Sequence, residues 1–362
     1  MPQILNSTVD RAKIDPAIVN DVTVGTVLPE LGGAKAGRMS LIHAGFPYTT
    51  TFSTVNRQCS SGLQAIANTA AHLSTGMIRV GIAGGVESMT RNYGSKAIPQ
   101  DLSPELRASW SQDARDCIMP MGLTAENVAA RYGVDRAAQD AFAHRSHAKA
   151  AAAQAAGWFD AEIVPMETRW IDALTGVESR RVVAADDGIL HWLALEKLAA
   201  LKPAFTPDGA STAGNSSQVS DGAAVALMMR RDTAEALGLR PLARYVASAV
   251  AGVKPDEMGV GPAIAIPRLL EMAGIEVADV GIWELNEAFA SQAIYCMREL
   301  GLQEERVNPK GGAIALGHPL GATGARQLAT LLPELERQDE RLGVISMCIG
   351  TGSGLATLVV RE

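Results

Sequence analysis

An α/β fold made of two copies of one unit is predicted by three observations. Strand-like apolar runs alternate with helical ones through much of the 362-residue chain, the pattern of layered α/β proteins. Landmarks near the N-terminus recur near the C-terminus at an almost constant separation. The small-residue turns that hold reactive side chains fall where a strand gives way to a turn or helix, and open α/β sheets bind ligands at the carboxyl ends of their strands.

In chain order, apolar runs place strands at 21–27, 50–55, 80–83, 223–229, 243–250, 280–285 and 343–347. Helices are expected at 62–73, where alanine dominates, and at 125–132, 136–156, 263–273, 287–300 and 321–332. For the repeat, Ile275 lies 261 residues after Ile14, His318 lies 259 after Cys59, and Cys348 lies 263 after Gly85. The near-constant offset indicates a duplicated unit, with Cys59 and His318 in equivalent loops at helix N-termini. Packing about a pseudo-two-fold axis would bring those loops together. The same offset puts a helix at 2–12 and leaves the first half without the strand that opens the second.

The predicted division is a first half of residues 1–94 with 216–230, an inserted subdomain 95–215 that carries substrate contacts, and a second half 231–362. Such insertions commonly carry specificity. A hydrophobic fraction of 47% with only 4% aromatic residues suits closely packed helices and strands. The net charge of −7 argues against a nucleic-acid surface. No apolar run approaches the roughly 18 residues of a membrane span. The first residues match neither a secretory nor a transit peptide, and the last carry no peroxisomal tripeptide. Cysteines 59, 117, 296 and 348 have no metal-ligand spacing and no C-x-x-C pair, so a reducing compartment and no metal are expected.

Four turns carry the candidate chemistry: Cys59-Ser60-Ser61-Gly62, Asn286-Glu287-Ala288-Phe289, the Gly-rich run 311–324 around His318, and Cys348-Ile349-Gly350-Thr351-Gly352. Taken singly, each has a plain structural reading. Cys59 or Cys348 serves as a small core residue, Asn286 as the cap of the helix at 287–300, His318 as a satisfied structural histidine, and 311–324 as a phosphate cradle without the Lys-Ser/Thr ending. Together they equip acyl transfer. A cysteine at a helix N-terminus is expected to have a lowered pKa. Imidazole serves as its base, a second cysteine as general acid or base, and Asn with backbone N–H groups as an oxyanion hole.

The motifs VNRQCSSGLQA, GGVESM, DCIMPMGLTAENVA, KPAF, TAGNSSQVSDGAA, ELNEAFASQA, NPKGGAIALGHPLGATGARQ and SMCIGTGSG resemble those of the thiolase family, most of all the 3-ketoacyl-CoA thiolases of peroxisomal type. The similarity runs from about Ile14 to Val360. It implies a duplicated five-layer αβαβα fold and a homodimer. The implied reaction is thiolytic cleavage of 3-oxoacyl-CoA in fatty acid β-oxidation, with coenzyme A and acyl-CoA as substrates and no cofactor. Cys59 would carry the acyl group, His318 would activate it, Cys348 would move the α-proton, and Asn286 would hold an oxyanion-hole water. The N–H groups of Cys59 and Gly350 would form a second hole. Coenzyme A would lie near Met121, Phe205, Ala213, Ser217 and Phe289. Pro120-Met121-Gly122 points to the degradative rather than the acetoacetyl-CoA-forming sub-class. Peroxisomal location follows by resemblance alone; the alternative is cytoplasmic. A ketosynthase, which uses a cysteine with two histidines, fits less well.

The chain departs from the family in two places. Leu190 stands where an arginine beside the adenine and 3′-phosphate of coenzyme A is expected, which implies binding weaker by roughly 1–2 kcal/mol, with Lys197 or His191 as replacements. The family's opening strand with its Arg-Thr-Pro loop is absent. The resemblance sets that strand inside the first sheet, so the expectation is an incomplete gene reading or a truncated, non-catalytic form.

Overall fold

The computed structural model describes residues 1–93, 97–99, 101–172 and 174–362. Its strands are β1 (Asp21–Gly25), β2 (Thr51–Val55), β3 (Val80–Ser88), β4 (Met166–Ile171), β5 (Glu178–Val183), β6 (Asp221–Met229), β7 (Ala243–Gly252), β8 (Ile282–Leu285), β9 (Leu342–Ile349) and β10 (Ser353–Arg361). Helices of ten residues or more are α1 (Pro2–Ala12), α2 (Ala34–His43), α3 (Ser61–Ser74), α4 (Met121–Arg131), α5 (Arg136–Ala155), α6 (Gly261–Ala273), α7 (Ala290–Leu300) and α8 (Thr323–Arg337).

Two four-stranded sheets, β2-β1-β3-β6 and β7-β10-β9-β8, form the frame. In the first, β1 runs parallel to β2 and β3, and β6 lies antiparallel to β3. In the second, β8 is parallel to β9, while β10 is antiparallel to both β9 and β7. The halves therefore correspond: β1 with β8, β3 with β9, β6 with β10. The counterpart of β2 has shrunk to one parallel bridge, Trp283 to Val307.

Hydrophobic burial stacks these sheets into five layers. Leu5 and Val9 of α1 and Leu41 of α2 pack on Val22, Val24 and Ile82, covering the outer face of the first sheet. Leu63 and Ile66 of α3, with Leu328 and Leu331 of α8, lie between the sheets against Ala83, Ile345 and Met347. Ile266 and Leu269 of α6 and Cys296 of α7 cover the outer face of the second sheet against Trp283 and Val344. The order is αβαβα. The two middle helices meet at their first turns: a Cβ on Gly62 would stand 2.7 Å from the Gly321 carbonyl oxygen, and one on Gly324 would stand 2.6 Å from the Leu63 nitrogen. Only glycine allows that approach, and it brings the two N-termini together.

Part of the stretch between β3 and β6 packs against the second sheet's helix α7. Phe142 and Ala143 of α5 pack with Leu198 against Ala290, Ala293 and Ile294 of α7. The inserted subdomain's expected boundary at 94/95 lies outside the described residues.

Strand β7 is an edge strand paired, among the described residues, only with β10, and β6 stands at one edge of the first sheet. Helix α1 occupies residues 2–12, where the repeat put it. Strand β10, helix α2 and the hairpin β4–β5 were not predicted. Residues Gly354 to Val360 of β10 are buried without a break, so no period of two is visible. Helix α2 buries only Leu41. Both strands of the hairpin are almost wholly exposed and rich in charge. Among the described residues no helix is long and apolar enough to cross a membrane.

Candidate active site

Cys59 sits in the turn between β2 and α3, just after Gln58, whose φ of 47° turns the chain sharply. The turn is held by its own hydroxyls: Ser61 Oγ donates to the Gln58 carbonyl at 2.6 Å and accepts the Arg57 N–H at 2.9 Å, and Ser60 Oγ donates to the Arg57 carbonyl at 2.9 Å. Such local bonds explain why serines, poor interior helix residues, precede this helix. The Cys59 side chain is 8% exposed. Burial pushes its pKa up, and the Glu87 charge adds to this, against the pull of the Gly350 N–H and its own N–H on the sulfur. The expected lowering by the helix terminus is therefore overturned: desolvation outweighs the dipole. At neutral pH this residue is a thiol that needs a base.

His318 can be that base. Its Nδ1 is 2.7 Å from Thr323 Oγ1, which itself donates to the Pro319 carbonyl at 3.0 Å. The threonine hydroxyl directs its proton at Pro319, so it accepts from Nδ1–H, and the Nε2 lone pair is left to accept, with the Asn286 amide nitrogen 3.4 Å away. Burial, with a smaller contribution from Arg326, lowers the His318 pKa to about 3, which keeps the ring neutral.

Asn286 follows β8. It does not cap the next helix, because α7 begins only at Ala290 after Phe289. Instead its Nδ2 stands 3.5 and 3.4 Å from the two ring nitrogens of His318, and its Oδ1 is buried without a partner. Cys348, fully buried near the end of β9, has its pKa raised well above the usual range by burial and then by the nearby Cys59. Gly350 belongs to the short turn joining β9 to β10. A Cβ there would meet Met121 Sδ at 3.5 Å and Gln58 Cβ at 3.9 Å, so this turn lies over the Cys59 turn.

The remaining expected contacts gather on one side. Met121 and Phe289 share an apolar cluster with Cys348. The Phe205 ring lies 5.9 Å from that of Phe289 at 78° and is 40% exposed. Ser217 N–H donates to the Ala288 carbonyl at 3.0 Å. Ala213 is exposed on the neighbouring turn. Leu190 lies elsewhere, on a cleft of about 330 Å³ shared with His144, His147, His191 and Trp192.

Three buried polar residues that fix these loops were not singled out from the sequence. Glu87, 2% exposed, accepts N–H groups from Val27 at 3.0 Å, Leu28 at 3.2 Å and Gly321 at 3.0 Å, joining the first half to the His318 turn. Glu287 accepts from Ser146 at 2.6 Å, Asn308 at 2.8 Å and the Ile314 N–H at 3.3 Å, pinning the 311–317 run. Gln292 reaches Cys348. The available sign was a carboxylate or amide inside an otherwise small or apolar run.

Beneath His318, Glu284 pairs with Arg326 at 3.1 Å. Burial outweighs that partner and lifts the Glu284 pKa from 4.5 to about 7. The folded state therefore binds a proton between these values that the unfolded chain releases. Its contribution is complete below the unfolded pKa and is lost as pH rises through the folded one. Glu284→Gln is expected to flatten the fall in melting temperature between pH 5 and pH 8; an unchanged slope would place its cause elsewhere.

The family models for the thiolase N-terminal and C-terminal domains match residues 2–232 and 239–361. The chain belongs to the thiolase family. It is 50% identical over 363 aligned residues to the peroxisomal 3-ketoacyl-CoA thiolase of Yarrowia lipolytica, covering 100% of this chain and 86% of that one. It is 51% identical to rat peroxisomal 3-ketoacyl-CoA thiolase B, covering 98% and 83%. Among solved thiolases, the dimeric peroxisomal enzyme of Saccharomyces cerevisiae superposes with a TM-score of 0.92 at 44% identity, covering 100% and 90%. The acetyl-CoA acetyltransferase of Bacillus anthracis gives 0.88 at 37%, covering 99% and 91%.

Proposed function

We propose that the protein is a 3-ketoacyl-CoA thiolase of fatty acid β-oxidation. The observation that carries this reading is the meeting of the Cys59, His318 and Cys348 turns, drawn from both halves, around a thiol and a neutral imidazole. Higher identity to the 3-ketoacyl-CoA enzymes than to the acetyl-CoA acetyltransferase supports the degradative sub-class.

In this reading His318 takes the Cys59 proton and the thiolate attacks the 3-keto carbon. The Cys59 and Gly350 N–H groups, already directed at the sulfur, hold the oxyanion on the acyl carbon. The C2–C3 bond then breaks. The acetyl-CoA enolate, stabilised by His318 and a water on Asn286 Oδ1, takes its α-proton from Cys348. The thiol of coenzyme A then gives its proton to the Cys348 thiolate and attacks the Cys59 thioester; the shortened acyl-CoA leaves, and His318 returns its proton to the Cys59 thiolate. Met121, Phe205, Phe289, Ser217 and Ala213 line the approach for the pantetheine arm. No cofactor enters this scheme.

Thiolysis assays on 3-ketoacyl-CoA of several chain lengths test the reading. Cleavage of long and short substrates is expected; cleavage of acetoacetyl-CoA alone would favour the biosynthetic alternative.

Leu190 remains the chain's own departure. Its side chain is 51% exposed and carries no charge for a phosphate. Leu190→Arg is expected to tighten coenzyme A binding by about tenfold, the equivalent of roughly 1–2 kcal/mol for one charged contact; a dissociation constant that does not fall would dismiss this role.

A homodimer and a peroxisomal location complete the proposal. Among the described residues the outer edge of β2 pairs with no strand, and nearby Met39 and Tyr48 are 71% and 83% exposed. The relatives' names supply the location.

A further inference from the structure

The side chain that meets Cys348 is Gln292, fully buried in the first turn of α7. Its Oε1 lies 3.6 Å from Cys348 Sγ and accepts the Ala288 N–H at 3.1 Å. That backbone bond decides the orientation of the amide: the carbonyl, not the NH2, faces the sulfur. The stem is fixed too, since a Cβ on Gly259 would fall 2.6 Å from Gln292 Cβ. Cys348 otherwise belongs to an apolar cluster with Ala125, Met258, Ala288 and Phe289, with Cys59 close enough to act on its charge. Gln292 Nε2 is buried without a partner, an arrangement that is costly unless the amide serves a purpose.

We propose that Gln292 is a positioning residue for Cys348, its carbonyl oxygen fixing the S–H rotor and holding the proton on sulfur until substrate takes it. The inference rests on the reading of Cys348 as the acid and base at the α-carbon. An acceptor facing a thiol stabilises the neutral form, because a thiolate there would confront a carbonyl lone pair. In the cleavage direction the carbon–carbon bond breaks, and its electron pair on the α-carbon takes the Cys348 proton. A C–H bond forms, and sulfur keeps the electron pair of the broken S–H bond as thiolate. In the reverse direction the thiolate removes the same proton and returns to the Gln292 acceptor.

The test separates this step from acylation. Deuterium wash-in at the α-carbon of acetyl-CoA reads the Cys348 step; the rate of acetyl adduct formation on Cys59, followed by mass spectrometry, reads acylation. Gln292→Met is expected to slow wash-in by about tenfold or more and to leave adduct formation within about threefold, because only the general acid–base group is disturbed. Gln292→Glu, assayed at pH 6 where so buried a carboxyl stays protonated, keeps the acceptor and is expected within about threefold of wild type in both assays. Wild-type wash-in by Gln292→Met would overturn the proposal, as would equal loss of both rates. If the methionine variant does not fold, wash-in by Gln292→Glu reduced tenfold (about the size of the methionine effect) beside normal adduct formation would overturn it as well. A Cys348→Ala protein that still exchanged the α-proton would defeat the underlying reading of Cys348, and the role of Gln292 with it.

Discussion

Replacing Cys59 with alanine is expected to abolish the covalent acyl adduct and to lower thiolysis by at least about 10³-fold, since none of the other three cysteines is placed to form the thioester. Cys348 is fully buried, with a pKa raised well above that of an ordinary thiol, and Cys296 is fully buried on the inner face of α7 with its pKa pushed up to about 12. Neither offers an accessible thiolate. Cys117 is partly exposed but belongs to the inserted region, without a base beside it among the described contacts. The variant should fold normally, because the turn is held by Ser60, Ser61 and their backbone partners rather than by the sulfur. Intact-mass measurement after incubation with acetyl-CoA decides the matter. A folded Cys59→Ala protein that still gains an acetyl group at wild-type rate would remove Cys59 from the mechanism.

The second large effect is on stability. Glu87→Ala is expected to cost about 2–4 kcal/mol, because one buried and two partly buried N–H donors lose their shared acceptor and a fully buried unsatisfied donor costs roughly 1–3 kcal/mol. Water entering the vacated space recovers part of that sum. The donors belong to different segments: Val27 and Leu28 follow β1, while Gly321 belongs to the His318 turn. The loss therefore loosens one half of the molecule from the other. A fall in melting temperature of about 5–10 °C is expected from the per-kcal shift for domains of this size. Because the Glu87 carboxylate also raises the Cys59 pKa, iodoacetamide should alkylate Cys59 at lower pH in the variant. A melting temperature within a degree of wild type would show that these bonds do not tie the halves together.

Much of this architecture was legible in the chain. The strand runs at 21–27 and 80–83 became β1 and β3 because they alternate or concentrate β-branched residues that one sheet buries. The repeat offset located α1 and forecast that the Cys59 and His318 turns would meet. Strand β10 escaped notice because burial on both faces erases alternation. The hairpin β4–β5 did so because its apolar residues, Met166, Trp170, Ile171, Val182 and Val183, fall in no regular alternation and stay exposed among charges. Taken alone, Asn286 sits where a helix cap would, but the helix begins only at Ala290, four residues later, and leaves its side chain beside His318.

By itself, then, the sequence determined the duplicated α/β plan and the family, and it singled out the candidate reactive residues, because these depend on local periodicity and on motifs contiguous in the chain. Only the tertiary structure decided their protonation and their support. Cys59 is a high-pKa thiol rather than a helix-activated thiolate, His318 is neutral with its proton on Nδ1, and Glu87, Glu287 and Gln292 brace the turns. The reason is that desolvation and long-range hydrogen bonds depend on what surrounds an atom. Those surroundings are assembled from segments hundreds of residues apart, as when Glu87 receives the N–H of Gly321.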